Sequence, residues 1–162
     1  MTGKTIIALV KTDNRASGIP TAINLLKHNP VNGTQVFLKP NFNTADAFPG
    51  STHNDTLHHL VLHLKAMGAK TITVGDRSGP ADTIKVIQEK EVDLLCRDLG
   101  VELINFEALP PEGWKRLRPE KSHWRSGFDF ASPVLDAECI EIVTGDKESR
   151  EYADRLVGVL RT

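Results

Sequence analysis

Short apolar runs rich in β-branched residues alternate with longer amphipathic stretches along the first two thirds of the chain. The runs are Thr5–Val10, Gln35–Leu38, Lys70–Val74 and Val101–Ile104, and a fifth, Glu138–Val143, follows an irregular stretch. The segments between them carry apolar residues at the 3.6-residue spacing of helices. Buried strands separated by helices favour βαβ units and a mostly parallel sheet, and right-handed crossovers would put helices on both faces. We therefore expect an α/β fold.

Proline, glycine and capping residues indicate where the helices begin and end. Pro20 and Pro80 each suit the first turn of a helix, where the missing N–H costs nothing. Thr52 with Asp55 resembles a capping box, with Asp in place of Glu. These signals predict helices from Pro20 to the stop at Pro30–Gly33, from Thr52 to Gly68, from Pro80 to Gly100 with a break at Glu89–Glu91, and from Glu148 to Leu160.

Residues 106–136 interrupt the alternation. This stretch contains four prolines, two glycines and both tryptophans, Trp114 and Trp124. We expect an irregular excursion with one or two short strands. Because 162 residues fit one domain, the prediction is a single α/β domain over residues 1–162.

Composition excludes several classes of protein. Twenty Lys and Arg against 21 Asp and Glu give a net charge of −1, which argues against the broad basic face of a nucleic-acid binder. Cys96 and Cys139 are too few for a disulfide framework or an all-cysteine metal site, so we interpret both as small buried hydrophobes. The apolar runs are too short to span a bilayer, and the N-terminal residues lack a signal-peptide pattern. We expect no membrane partner and a cytoplasmic location.

The loop after Leu38 is the first candidate site, because ligands of parallel sheets bind at the carboxyl ends of strands. Lys39 and Asn41 would offer a positive charge, a donor and an acceptor to an anionic or carbonyl-bearing ligand. The alternative is that Lys39 extends to solvent and Asn41 caps a turn. His53, in the same loop, is a candidate base, and the other candidate ligand-binding residues of this stretch are Asn43, Ser51 and Thr52.

The loop after Val74 is the second candidate. Its sequence, Gly75–Pro80, lacks the Gly-Lys-Ser/Thr ending of a Walker loop and the G-x-G-x-x-G of a dinucleotide fingerprint. Asp76 could bind a metal or act as an acid or base, and Gly75, Arg77, Ser78 and Gly79 could hold an anionic group. The alternative is an ordinary strand-to-helix turn in which Ser78 caps the helix.

Two other clusters are better explained without a ligand. His58, His59 and His63 share one predicted helix, and although His59 and His63 have the four-residue spacing of two metal ligands, a solvated polar face is the favoured interpretation. Trp114, Trp124 and neighbouring basic residues could bind single-stranded nucleic acid, but a flap packed over the sheet or a subunit contact is favoured.

The ordered motifs resemble a known family. They are Val36–Asn41 with its Lys-Pro-Asn, Ser51-Thr52 before the histidine-rich helix, Ala66–Asp76 ending in Gly-Asp, and Asp98–Ile104. Together they are similar to the domain of unknown function 362 family, over about residues 5–143. The resemblance implies a Rossmann-like three-layer sandwich, a distant similarity to the nickel-pincer lactate racemase group, and a ferredoxin-type iron–sulfur partner. By this resemblance, the family's Lys-Pro-Asn motif corresponds to Lys39, Pro40 and Asn41, and its Gly-Asp motif corresponds to Gly75 and Asp76.

The sequence departs from the family pattern after the last strand. Ile142–Glu148 lacks the expected Lys-x-Lys-Thr-His-like motif, and the ferredoxin cysteines are absent, so a shortened member is expected. Two hypotheses follow. In the first, Lys39, Asp76 and His53 face a small polar or anionic ligand, with or without a divalent metal; cofactor and reaction stay open. In the second, the chain is a non-catalytic module that forms a homo-oligomer through Trp114, Trp124 and the final helix.

Overall fold

The structure is a computed structural model that describes residues 7–118, 120 and 123–143. Its helices are α1 (Arg15–Leu25), α2 (Asn54–Ala66), α3 (Thr83–Glu89), α4 (Val92–Asp98) and α5 (Ser132–Leu135). Its strands are β1 (Gln35–Lys39), β2 (Thr71–Asp76), β3 (Glu102–Asn105), β4 (Trp114–Leu117), β5 (Phe128–Ala131) and β6 (Cys139–Ile142). Short 3-10 turns occupy Phe106–Ala108 and Pro111–Gly113. The helix predicted at Glu148–Leu160 lies outside the described residues.

Four strands form one parallel sheet in the order β3-β2-β1-β6. Leu38 lies beside Val74, and Lys39 lies beside Ile142, so β1, β2 and β6 end at a common edge. Helices flank this sheet, which confirms the predicted α/β sandwich. β4 and β5 form a separate antiparallel pair within the predicted excursion.

The sheet separates two hydrophobic cores. Val36 and Leu38 of β1 face the larger core, which the apolar residues of α1 to α4 complete. Phe37, between them in sequence, faces the opposite side and packs with Phe106, Ala131 and Val134. Because successive side chains of a strand alternate between its faces, the unbroken apolar run of β1 serves both cores.

The order of the strands explains why the longer helices share a face. β1, β2 and β3 lie side by side in chain order, so right-handed crossovers through α2 and through α3–α4 pass over the same side of the sheet. The second face is covered instead by the short helical turns and the β4–β5 pair. None of the helices in the described ranges has both the length and the apolarity to cross a bilayer.

The strand predicted at Thr5–Val10 is wrong over its described part. Residues 7–10 have no strand conformation, and Ile7 and Leu9 are 74% and 92% exposed. β1 is flanked by β2 on one side and by β6 on the other, so this run has no position beside the central strand. An apolar, β-branched sequence is therefore insufficient without a neighbouring strand to pair with.

Two predicted helix starts are also wrong. α1 begins before Pro20, at Arg15, because the Asn14 side chain accepts a hydrogen bond from Ser17 N–H at 3.3 Å. α3 begins after Pro80, at Thr83, where the Asp82 carboxylate caps the helix. In both cases a side-chain oxygen that satisfies free N–H groups fixes the first turn.

The predicted capping box at Thr52 is wrong as well. His53 is the N-cap of α2, and its Nδ1 accepts a hydrogen bond from Asp55 N–H at 3.0 Å. The predicted break near Glu89–Glu91 is confirmed: α3 ends at Glu89, and Glu91 has a positive φ of 54° before α4 begins.

Candidate functional site

Lys39 and Asp76 meet at the carboxyl edge of the sheet. Lys39 is the last residue of β1, Asp76 is the last residue of the adjacent β2, and the Lys39 ammonium donates a hydrogen bond to Asp76 Oδ1. The Asp76 side chain is 4% exposed and the Lys39 side chain 37% exposed. The two candidate loops therefore converge on one rim, with a buried carboxylate beneath a partly exposed ammonium.

Backbone donors hold the Asp76 carboxylate in place. Oδ2 accepts a hydrogen bond from Phe42 N–H at 2.6 Å, and Oδ1 accepts one from Arg77 N–H at 2.8 Å. With the Lys39 ammonium, these donors supply the compensation that a buried carboxylate requires. Asp76 thus joins the ends of β1 and β2 and fixes the position of the Lys39 amine.

The Lys39 amine has spare donor capacity. A protonated amine carries three N–H donors. Its partners among the described residues are the Asp76 carboxylate and Pro40 C=O, which lies 2.8 Å from Nζ. One N–H therefore remains for a ligand at this edge of the sheet.

The loop between β1 and α2 is held by its own hydrogen bonds. Thr52 Oγ1 accepts from Asn41 N–H at 2.9 Å and donates to Val143 C=O at 3.1 Å. Ser51 Oγ donates to the backbone of Thr44 and Asp46. The structure thus places the buried hydroxyls of Ser51 and Thr52 in the scaffold of the loop, with Asn41 beside them.

The loop between β2 and α3 has a mixed role. Ser78 Oγ donates to Phe42 C=O at 2.7 Å, which ties this loop to the preceding one. Asp82, not Ser78, caps the helix. Arg77 and Gly79 are exposed, and Gly79 lies beside exposed Asn43, whose Oδ1 would be 3.7 Å from a Cβ at Gly79.

Gly75 is a packing glycine inside β2. A Cβ at this position would lie 2.5 Å from Phe37 Cζ and 2.9 Å from Phe106 Cε1. Its missing side chain therefore makes room for two stacked rings, whose centroids are 5.7 Å apart. The predicted loop begins only after Asp76.

The histidines lie on and beside α2. His53 caps that helix, with its ring edge-on to Phe48 at 6.4 Å. His59 Nε2 lies 3.2 Å from Asp55 Oδ1, within one turn of the helix. In the described ranges, no three His, Cys, Asp or Glu side chains gather into a metal-binding group.

The cysteines lie in apolar surroundings. Burial, with a smaller effect of the nearby Asp93, raises the pKa of the Cys96 thiol to about 11. Cys139 is partly buried against the larger core, and burial raises its pKa too. A raised pKa disfavours the thiolate, which agrees with the interpretation of both cysteines as packing residues.

A cavity of about 360 Å³ adjoins Lys39 on the second face of the sheet. Its walls are almost wholly apolar. In the part of the chain that the structure describes, they are formed by Phe106, Trp114, Phe130, Ala131, Val134 and Ile140, with Lys39 and Asp129 as the charged residues. Asp129 is engaged by Arg116, whose Nε lies 3.0 Å from its Oδ1. An apolar chamber with the Lys39 side chain on its lining is therefore a concave feature next to the predicted site.

The sequence does not predict this cavity as a binding site. It predicts Trp114 only as part of a flap over the sheet or a subunit contact, and Ile140 only as part of a strand. The concentration of aromatic residues in a segment without periodicity was the signal available, but it could not say which side chains would meet.

The match to a family comes from this same part of the chain. A family model described as a domain of unknown function, DUF362, matches residues 36–144. The chain belongs to the DUF362 family. The DUF362 match begins in β1 and continues just past β6, so it includes Lys39, Asp76 and each described residue that lines the cavity. No curated protein and no solved structure matches this DUF362 chain significantly.

Proposed function

We propose that this DUF362 protein binds a small anionic ligand at the carboxyl ends of β1 and β2, with the Lys39 ammonium as its anchor. The observation that carries the proposal is the remaining N–H donor of a lysine that Asp76 holds in place beside a cavity. An anion at this point would accept a charge-assisted hydrogen bond, which is about twice as strong as a neutral one.

In this proposal Lys39 binds the ligand and Asp76 positions Lys39. Arg77 is exposed on the adjoining loop and would add positive charge at the rim. Asn41, Asn43 and Gly79 lie on the two loops that surround the pair. A divalent metal at Asp76 and a catalytic step by Lys39 or His53 are not required for this function.

The test is a calorimetric titration of the purified protein with acetate, hexanoate, phenylacetate and inorganic phosphate. We expect at least one of these anions to bind, and Lys39→Met to weaken it about tenfold or more, because a hydrogen bond to a charged group contributes about 1.5–3 kcal/mol. Lys39→Arg retains the charge and should lose less. Lys85→Met is the matched control, because Lys85 is 72% exposed on α3 and pairs with Asp82.

Binding that is indifferent to Lys39, or the absence of binding by all four anions, would overturn the proposal. Each variant is first compared with the wild type by far-UV circular dichroism, so that a loss of binding is not mistaken for a loss of fold.

A second function, homo-oligomerisation, is favoured by the aromatic residues on the β4–β5 segment. Trp124 is 64% exposed and makes an edge contact with Phe128, which contacts Phe130 in the same way. Exposed aromatic residues of this kind are enriched at protein interfaces. Light scattering should then show a dimer that Trp124→Ser dissociates; a monomeric wild type would exclude it. The iron–sulfur partner and the cytoplasmic location stay predictions.

A further inference from the structure

We infer that the ligand is an amphipathic carboxylate, with an apolar aliphatic or aromatic body inside the cavity and its anionic group on Lys39. This inference rests on the proposed function and adds the chemical class of the ligand. Its basis is the composition of the cavity wall, not the Lys39–Asp76 pair alone.

The cavity wall selects the body of the ligand. Among the described residues, six of the eight that line it are apolar, so a hydroxylated ligand such as a sugar phosphate would lose hydrogen bonds to water without replacing them. The volume of about 360 Å³ is at the lower end of ligand pockets, which span about 300–1,000 Å³. A short acyl chain or a single ring fits these conditions.

The aromatic residues also restrict the shape of the ligand body. Phe106 stacks on Phe37 and meets the Trp114 ring edge-on at 6.4 Å, so two lining rings are fixed by their neighbours. Phe130 is 37% exposed and lies on the wall that the β4–β5 pair contributes. Rigid rings present apolar surface at little cost in side-chain entropy.

The two charged lining residues determine the orientation of the bound ligand. Arg116 already engages Asp129, whereas Lys39 keeps one N–H without an acceptor among the described residues. A carboxylate is therefore favoured at the β1 end of the cavity. The apolar body then extends between the sheet and the β4–β5 pair.

The experiment measures binding through Trp114 in a Trp124→Phe background. Since the chain has two tryptophans, Trp114 is the only one left and its fluorescence reports on the cavity wall. Probes are acetate, butyrate, hexanoate, phenylacetate, inorganic phosphate and the neutral hexanamide. We expect the Kd to fall about fourfold for each methylene from acetate to hexanoate, because each buried methylene contributes a constant increment. Phenylacetate should bind at least as well as butyrate, and hexanamide should bind at least tenfold more weakly than hexanoate.

Two variants and a matched control locate the apolar body. Phe130→Ala should weaken hexanoate about tenfold and leave acetate unchanged. Leu62→Ala, at a 46% exposed position of α2 on the other face of the sheet, should change neither. Ala131→Leu fills part of the cavity and should abolish hexanoate binding while acetate binding persists. This variant provides the test if Phe130→Ala fails to fold.

The outcomes separate this inference from the proposed function. Equal binding of acetate, phosphate and hexanoate, all dependent on Lys39, would overturn the amphipathic class and leave the anion site intact. Equal binding of hexanamide and hexanoate would overturn the carboxylate anchor and with it this inference, and it would overturn the proposed function too if no anion depended on Lys39. No fluorescence or calorimetric response to any probe would also overturn both.

Discussion

Asp76 is the residue on which the rim of the sheet depends. Its buried carboxylate accepts hydrogen bonds from the Lys39 ammonium and from two backbone N–H groups, of Phe42 and Arg77. The two loops that surround the proposed site are thus tied to one side chain. A group with this many donors is better suited to positioning Lys39 than to exchanging protons with a ligand.

Replacing Asp76 with Asn tests that role. The amide retains one acceptor oxygen but directs N–H donors at groups that are themselves donors, so we expect the free energy of unfolding to fall by about 2–3 kcal/mol. Asp129→Asn is the matched control, because Asp129 is 52% exposed in its ion pair and should cost about 0–1 kcal/mol. Urea unfolding measures both, and equal losses in the two variants would contradict the role assigned to Asp76.

At the scale of elements, the entry of α3 is held by two carboxylates from different segments. Asp82 directly precedes the helix and caps it with its side chain. Glu107, in the 3-10 turn after β3, accepts a hydrogen bond from Thr83 N–H at 2.9 Å. That hydrogen bond is the main cause of the lowered pKa of Glu107. Glu107 therefore connects the helical layer to the segment that lines the cavity.

The lowered pKa of Glu107 makes this contact sensitive to acid. A carboxyl group whose pKa is lower in the folded state stabilises the fold above its ordinary value of 4.5, and this contribution is lost as the pH falls through the folded value. Glu107→Gln should consequently have a lower urea midpoint than the wild type at pH 7. The difference between the two midpoints, the gap, should disappear well below pH 4. Glu112→Gln, on the next 3-10 turn, is the control; a gap independent of pH would show that charge is not the reason.

The sequence predicts some of these elements better than others. β1, β2 and β3 follow from apolar runs bounded by turn residues, and their order alone brings Lys39 next to Asp76. Pro20 and Pro80 mislead as helix starts because Asn14 and Asp82 supply the capping oxygen. The cavity could not be predicted, because its described walls, apart from Lys39, come from residues 106–140, where no periodicity shows which side chains meet.

At the scale of the whole molecule, the question is whether the two layers on either side of the sheet form one cooperative unit. Phe37 belongs to β1, an inner strand, yet its ring is buried by Phe106 of the second layer. Gly75 of β2 leaves the space that both rings occupy. Glu107 adds a hydrogen bond from the same layer to α3. These contacts predict that neither layer is stable without the other.

Two spectroscopic probes can follow the layers separately. Both tryptophans lie in the second layer, whereas α1 to α4, the longer helices of the described residues, lie against the first face and contribute to the far-UV circular dichroism. In urea, tryptophan fluorescence and ellipticity at 222 nm should therefore give coincident transitions, as a two-state domain does. Phe106→Ala should shift both together, by about 3–5 kcal/mol for a buried aromatic residue. If fluorescence changed at lower urea than ellipticity, the second layer would be an independent cover over the sheet, and the cavity beside Lys39 could open without unfolding the protein.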